Sequence, residues 1–196
     1  MSPELKYFLG ILWILLGFIW YYPYFRDIIR GSTKPHPFSW LIWWILNGVG
    51  FVVQIQEGGW FWSYTLAVLS LICLTLSGIG FYQRHVEYYK WDVYLLFWAF
   101  LSIGLWYFIK NPIYSVLLIT FIDLLGFIPT IRKIYHQPES ETLSAWYIGI
   151  IRTIIWILAL SVYSFNTIFY AGAVGIFNII TIVLIHIQIY RIKLGK

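Results

Sequence analysis

Seven apolar runs, at about 5–25, 38–56, 59–82, 92–109, 113–131, 143–161 and 167–190, decide what this chain can fold into. Each is close to one bilayer crossing at about 20 residues and 1.5 Å rise per residue. In lipid every backbone hydrogen bond must close inside the span, so runs of this length are helices, and no alternating pattern supports a barrel. Seven crossings with short connections consume nearly all 196 residues, which leaves no room among them for a soluble domain. Composition agrees: 61% hydrophobic and 11% charged residues could not cover the surface of a soluble fold. The first run follows Met1–Lys6 without a small-residue cleavage pattern and reads as a retained helix, not a signal peptide.

The net charge of +5 is spread over short connections and forms no basic stripe, which argues against a nucleic-acid partner. It reports orientation instead. Arg26, Arg30, Lys34, Arg84, Lys90, Arg132, Lys133, Arg191, Lys193 and Lys196 fall on one side of a seven-span topology, against Lys6 and Lys110 on the other. The positive-inside rule then puts the N-terminus outside and the C-terminus in the cytosol of a bacterial-type inner or plasma membrane. Cys73, the single cysteine, reads as a small packing residue.

The chain also repeats itself. A shift of 106 residues superposes Pro23 on Pro129, Arg26 on Arg132, Ile28 on Ile134, Trp40 on Trp146, Ile42 on Ile148 and Ile45 on Ile151. These anchors share one context, a helix end, a basic connection and the next helix start, as two copies of one architecture would. Three spans per copy is an odd number, so a fourth span between the copies keeps both in the same orientation. The expected fold is an all-α membrane protein of seven transmembrane helices: two parallel three-helix bundles, residues 1–90 and 112–196, joined by a linker helix at 91–111. Parallel repeats imply a pseudo-two-fold axis along the membrane normal and a central path between the halves, the geometry of a transporter.

The segment from Tyr22-Pro23-Tyr24 to Phe38-Ser39-Trp40 resembles a PQ-loop repeat, and Phe127-Ile128-Pro129-Thr130 to Leu143-Ser144-Ala145-Trp146 resembles a second. On these segments and the 3+1+3 plan, the whole chain is similar to the SWEET and PQ-loop superfamily, with Tyr24 and Thr130 standing where a glutamine would complete each Pro-Gln pair. The resemblance implies alternating access, with Pro23 and Pro129 as bends in the first and fifth helices. Proline removes a backbone donor and clashes with the carbonyl four residues back, so a kink is expected on physical grounds as well; both also lie near helix ends, where they could merely terminate a helix. By helix and depth, Asn178 resembles the asparagine with which SWEET carriers hold substrate hydroxyls, with Ser70 as its counterpart in the third helix. Trp43 or Trp44 and Trp156 resemble the paired tryptophans of that pocket, suited to stacking on a ring.

Two ionisable residues lie deep in spans. Asp123 sits nine residues before Arg132, about 13 Å in, and Arg152 ten after Thr142, about 15 Å in. A charge there costs about 2.5–3.5 kcal/mol on the insertion scale, so the two are expected to pair, either as a proton-coupling site or as a static bridge between the fifth and sixth helices. The matching residues of the first copy are Gly17 and Leu46. Asn47 and Thr153 also match at the 106-residue shift and suit either a polar solute or interhelical hydrogen bonding. His186, near the cytosolic end of the last run, reads as a snorkelling residue.

No nucleophile with its base, no paired metal ligands and no phosphate loop stand out, so an enzyme is not expected, nor a metal or cofactor. Retinal attachment would need a lysine inside the seventh span, and Lys193 and Lys196 follow it. The expected function is transport of a small polar solute, such as a sugar, amino acid or vitamin, by uniport or proton coupling. The expected partners are that solute and the lipid bilayer, with homo-oligomer formation left open. The competing reading is a PQ-loop-type receptor or scaffold that binds a peptide or protein.

Overall fold

A computed structural model describes residues 2–56, 60–84, 86–109, 111–160 and 162–195; Lys110 and Lys196 of the charge count lie outside them. The chain forms seven helices: α1 (Pro3–Ile29), α2 (Pro37–Gln56), α3 (Trp60–Gln83), α4 (Lys90–Phe108), α5 (Pro112–His136), α6 (Leu143–Ala159) and α7 (Phe165–Lys193), with a short 3-10 turn at Pro138–Ser140. There is no strand among the described residues. Six of the helices are long and apolar enough to cross a membrane, and α6, with 17 residues, is the shorter seventh. At 1.5 Å per residue it is still about 25 Å long. The chain is a multi-pass, seven-helix integral membrane protein.

Local chemistry sets the helix ends. The Ser2 side chain accepts from the Leu5 amide at the start of α1, and Gly31, at φ +75°, makes the turn after it. Ser164 and Thr167 cap the first turn of α7 reciprocally. Pro23 and Pro129 end nothing: α1 runs on to Ile29 and α5 to His136. Each proline therefore leaves one carbonyl inside its own helix, that of Ile19 and of Leu125, without the amide donor it would otherwise have.

The helices group into two compact units. The first holds residues 1–33 and 134–196, and so α1, α6 and α7; the second holds 34–133, and so α2, α3, α4 and α5 as far as Lys133. In the first, α6 lies against α1 and α7, and the short turn at 138–140 packs on α7. In the second, α2 lies against α3 and α4. Under the 106-residue shift α1 corresponds to α5 and α2 to α6, so each unit joins the proline-bearing helix of one sequence triplet to the following two helices of the other.

The fourth helix does more than span a gap. Its buried residues Asp92, Ala99 and Ser102 fall on one face, with Leu95, Leu96 and Ile103 beside them. That stripe packs into a core of Ile42, Ala99, Ile122 and Leu125 in the second unit, which Leu46 extends. The opposite face carries exposed Phe97, Trp98 and Leu101, as a lipid-facing helix surface does.

Candidate functional site

Arg152 is the tenth residue of α6, and the sequence prepares a place for it on α1. Its guanidinium lies over the Trp13 ring, 4.4 Å from the centroid, and Nε donates to the Trp13 carbonyl at 3.4 Å. Gly17, one turn along α1, opens the space: a Cβ there would lie 3.2 Å from Nη2 and 3.3 Å from Cζ. Trp13 in turn contacts Trp156 at 5.5 Å between centroids, and Trp156 contacts Tyr170 edge-on at 5.6 Å. The Trp13 indole Nε1 is buried and has no hydrogen-bond partner. Two donors thus share one aromatic pocket of the first unit.

Asp123 belongs to the other unit. It is 7% exposed and lies beside the Trp43 indole, although Nε1 and the carboxyl do not meet hydrogen-bond geometry. Equal depth led to the expectation that Asp123 and Arg152 pair. They fall in different units, and each has other neighbours within its own.

The tryptophans expected to hold a ring have packing partners already. Trp43 stands edge-on to Trp40 at 5.0 Å and to Phe127 at 5.1 Å. It also fills the space left by Gly126, where a Cβ would come within 2.6 Å of the indole nitrogen. The first unit inverts this arrangement: Trp20, the match of Gly126, faces Gly149, the match of Trp43. A Cβ at Gly149 would be 3.4 Å from the Trp20 nitrogen and would collide with the Asn178 amide oxygen. Each unit has one indole opposite one glycine, carried by opposite helices.

The other polar candidates make hydrogen bonds within their own units. Asn47 donates to the Trp43 carbonyl at 2.7 Å and reaches Cys73 Sγ at 3.9 Å; Thr153 donates to the Gly149 carbonyl at 3.0 Å. Both bonds run back four residues along their own helix. Asn178 does likewise, to Val174 at 2.7 Å, and leaves its amide oxygen toward Gly149. Ser70 crosses between helices, from α3 to the Trp44 carbonyl on α2 at 3.1 Å, beside the Asn47–Cys73 contact. His186 lies against the Tyr147 hydroxyl, 2.9 Å away.

A charged cluster at the start of α4 had no forewarning in the sequence reading. Asp92 is fully buried and accepts two bonds from Arg132 Nη2, at 2.6 and 2.7 Å, as well as the Tyr89 amide at 2.8 Å. Arg132 also lies 4.6 Å over the Tyr89 ring. His36, between Pro35 and Pro37, is 1% exposed; its Nε2 sits 3.4 Å from Arg132 Nη2 and 3.9 Å from Asp92 Oδ2, and its Nδ1 has no partner. Burial pushes the His36 pKa down to about 3, against the pull of Asp92 and with the push of Lys133 and Arg132, so the ring is neutral. Lys133 donates to the Lys34 carbonyl, and Thr130 donates to Ser39 at 2.9 Å. The available signal was an acid in the first turn of an apolar run, next to a histidine held between prolines. The first unit handles the matching arginine differently: Arg26 pairs with its neighbour Asp27 at 2.8 Å, and Thr33 bonds Thr142 at 2.6 Å.

No protein-family model matches this chain, and neither a curated protein nor a solved structure is detectably similar to it.

Proposed function

We propose that the chain is a transporter that carries a small polar solute by alternating access, on the plan of the SWEET and PQ-loop superfamily. One observation carries the reading. Each compact unit combines a helix with an internal proline, α1 or α5, with the following two helices of the other sequence triplet. A duplicated unit of that kind suits a carrier with two related states, because equivalent packings can exchange roles while the membrane-embedded core of each stays intact. The internal prolines supply the compliance: a helix lacking one backbone bond bends at lower cost than an unbroken one.

The polar group proposed to meet the solute is Arg152 in the first unit, and Asp123 is the ionisable group at matching depth in the second. Ionisable side chains at this depth mark solute or proton paths in membrane proteins more often than they serve packing alone. Asn178, Asn47 and Thr153 satisfy carbonyls of their own helices and Ser70 one of a neighbouring helix, which accounts for their contacts without a solute.

Uptake into liposomes holding the purified chain tests the reading, with labelled sugars, amino acids, vitamins and organic acids as the panel. Flux of at least one solute above protein-free vesicles is expected. Absence of flux for the whole panel, together with saturable binding of a peptide or protein ligand, would replace the transporter with a receptor.

A further inference from the structure

Arg152 is a cation in the middle of a membrane helix, and among the described residues of its own unit it forms no ion pair with a carboxylate. Of its nitrogens only Nε makes a hydrogen bond, and that one is long, at 3.4 Å to the Trp13 carbonyl. The indole beneath it brings a second donor without an acceptor, Trp13 Nε1. Burying the Trp13 donor without an acceptor costs free energy, and holding a half-buried guanidinium at this depth in a span without an anion costs more. The arrangement is nonetheless built: Gly17 is cut back to admit the guanidinium, and Trp13, Trp156 and Tyr170 form an apolar frame around it. What this place lacks, among the described residues of the first unit, is an acceptor with negative charge.

We propose that Arg152 and Trp13 receive the carboxylate of a small water-borne solute whose flat or apolar body lies against Trp156 and Tyr170. The planar guanidinium offers the paired donors that suit a carboxylate. This names the substrate class of the proposed transporter and rests on that reading. Depth argues for a solute over a phospholipid headgroup, because Arg152 lies about 13 Å from one end of α6 and about 10 Å from the other.

The test is a thermal-shift titration of the purified full chain with benzoate and hexanoate, against the uncharged isosteres benzamide and hexanamide. Both acids are expected to raise the melting temperature saturably and the amides to leave it unchanged. Arg152→Gln is expected to weaken benzoate binding about tenfold or more, the loss of a charge-assisted pair. Gly17→Ala, which crowds the guanidinium, is expected to weaken it less. Equal shifts with acids and amides, or benzoate affinity unchanged in Arg152→Gln, overturns the site. Should Arg152→Gln fail to fold, unchanged affinity in both Arg152→Lys and Gly17→Ala overturns it as well. A shift with palmitate but with neither benzoate nor hexanoate also overturns it, in favour of a membrane fatty acid. Flux separates the two proposals: binding that depends on Arg152 without liposome uptake of any solute removes the transporter and keeps the site. Uptake of neutral solutes without benzoate binding removes the site and keeps the transporter.

Discussion

Where the first unit has Gly17 on α1 facing Arg152 on α6, the second has Asp123 on α5 and Leu46 on α2 at the matching positions. Where the first has Trp20 facing Gly149, the second has Gly126 facing Trp43. Arg26 is neutralised by its sequence neighbour, whereas Arg132 is neutralised by an aspartate supplied by α4. The two units keep one helix plan and exchange its contents. In each helix pair the summed bulk of an indole and a glycine is conserved while its bearer changes, as close packing requires. Charge is divided: the acid went to one unit and the base to the other. Two units of one helix register can therefore hold their indole–glycine packing constant while carrying different charges.

The largest effect should come from breaking the indole–glycine rule. Gly149→Trp puts a second indole where Trp20 and Asn178 already sit, and overpacking of that size costs about 3 kcal/mol or more. Adding Trp20→Gly together with Asn178→Ala clears both side chains that face Gly149 and should recover much of the melting temperature, less about 1 kcal/mol for a mid-helix glycine. Thermal unfolding of both variants decides the point; a triple variant no better than the single one would mean that the two units do not pack equivalently.

Charge neutralisation should show nearly as large a contrast. Asp92→Asn leaves Arg132 without its buried partner and should cost about 3–5 kcal/mol, the usual result of breaking a buried pair. Asp27→Asn in the first unit breaks a pair whose arginine side chain is 40% exposed and should cost far less. Equal losses in the two variants would deny α4 its special role in the second unit.

Arg152→Leu installs the residue of the second unit in the first. It removes a membrane-buried charge worth about 2.5–3.5 kcal/mol on the insertion scale, so the melting temperature should hold or rise while carboxylate binding disappears. Marked destabilisation would mean that Arg152 is a packing residue.

The smallest effect is the pH dependence that His36 gives the second unit. His36 is neutral in the folded chain, with its pKa near 3, and protonates near 6.5 when unfolded. Its contribution is therefore complete above pH 6.5 and is lost as pH falls from 6.5 toward 3, by at most about 1.4 kcal/mol per pH unit. His36→Gln should flatten the acid limb of a melting curve measured between pH 8 and 5, and an unchanged limb would assign it to other groups. The first unit has Thr142 at this position, which adds no such slope.

Much of this architecture is legible in the sequence because hydrophobic length alone specifies a membrane helix, and all seven runs form helices within a few residues of their expected limits. The duplication is legible through Pro23, Pro129, Trp40 and Trp146. Which helices pack is not. Depth along a span says how far Asp123 and Arg152 are from the membrane edge and nothing about which helix each one faces; for Arg152 the answer within its unit is α1, where Gly17 is the only trace in sequence. The Asp92–Arg132 pair escaped for a related reason: its members lie 40 residues apart and each reads as an ordinary charge at the end of a run. The prolines could be read as bends or as helix ends, and the continuation of α1 and α5 beyond them removes the second reading.

Counterflow tests the central claim most directly. Liposomes holding the chain and preloaded with the unlabelled form of the best solute in the panel should transiently accumulate the labelled form above its external concentration, because a carrier that alternates must exchange. Uptake that ignores the internal solute, or that never exceeds protein-free vesicles, would contradict the account.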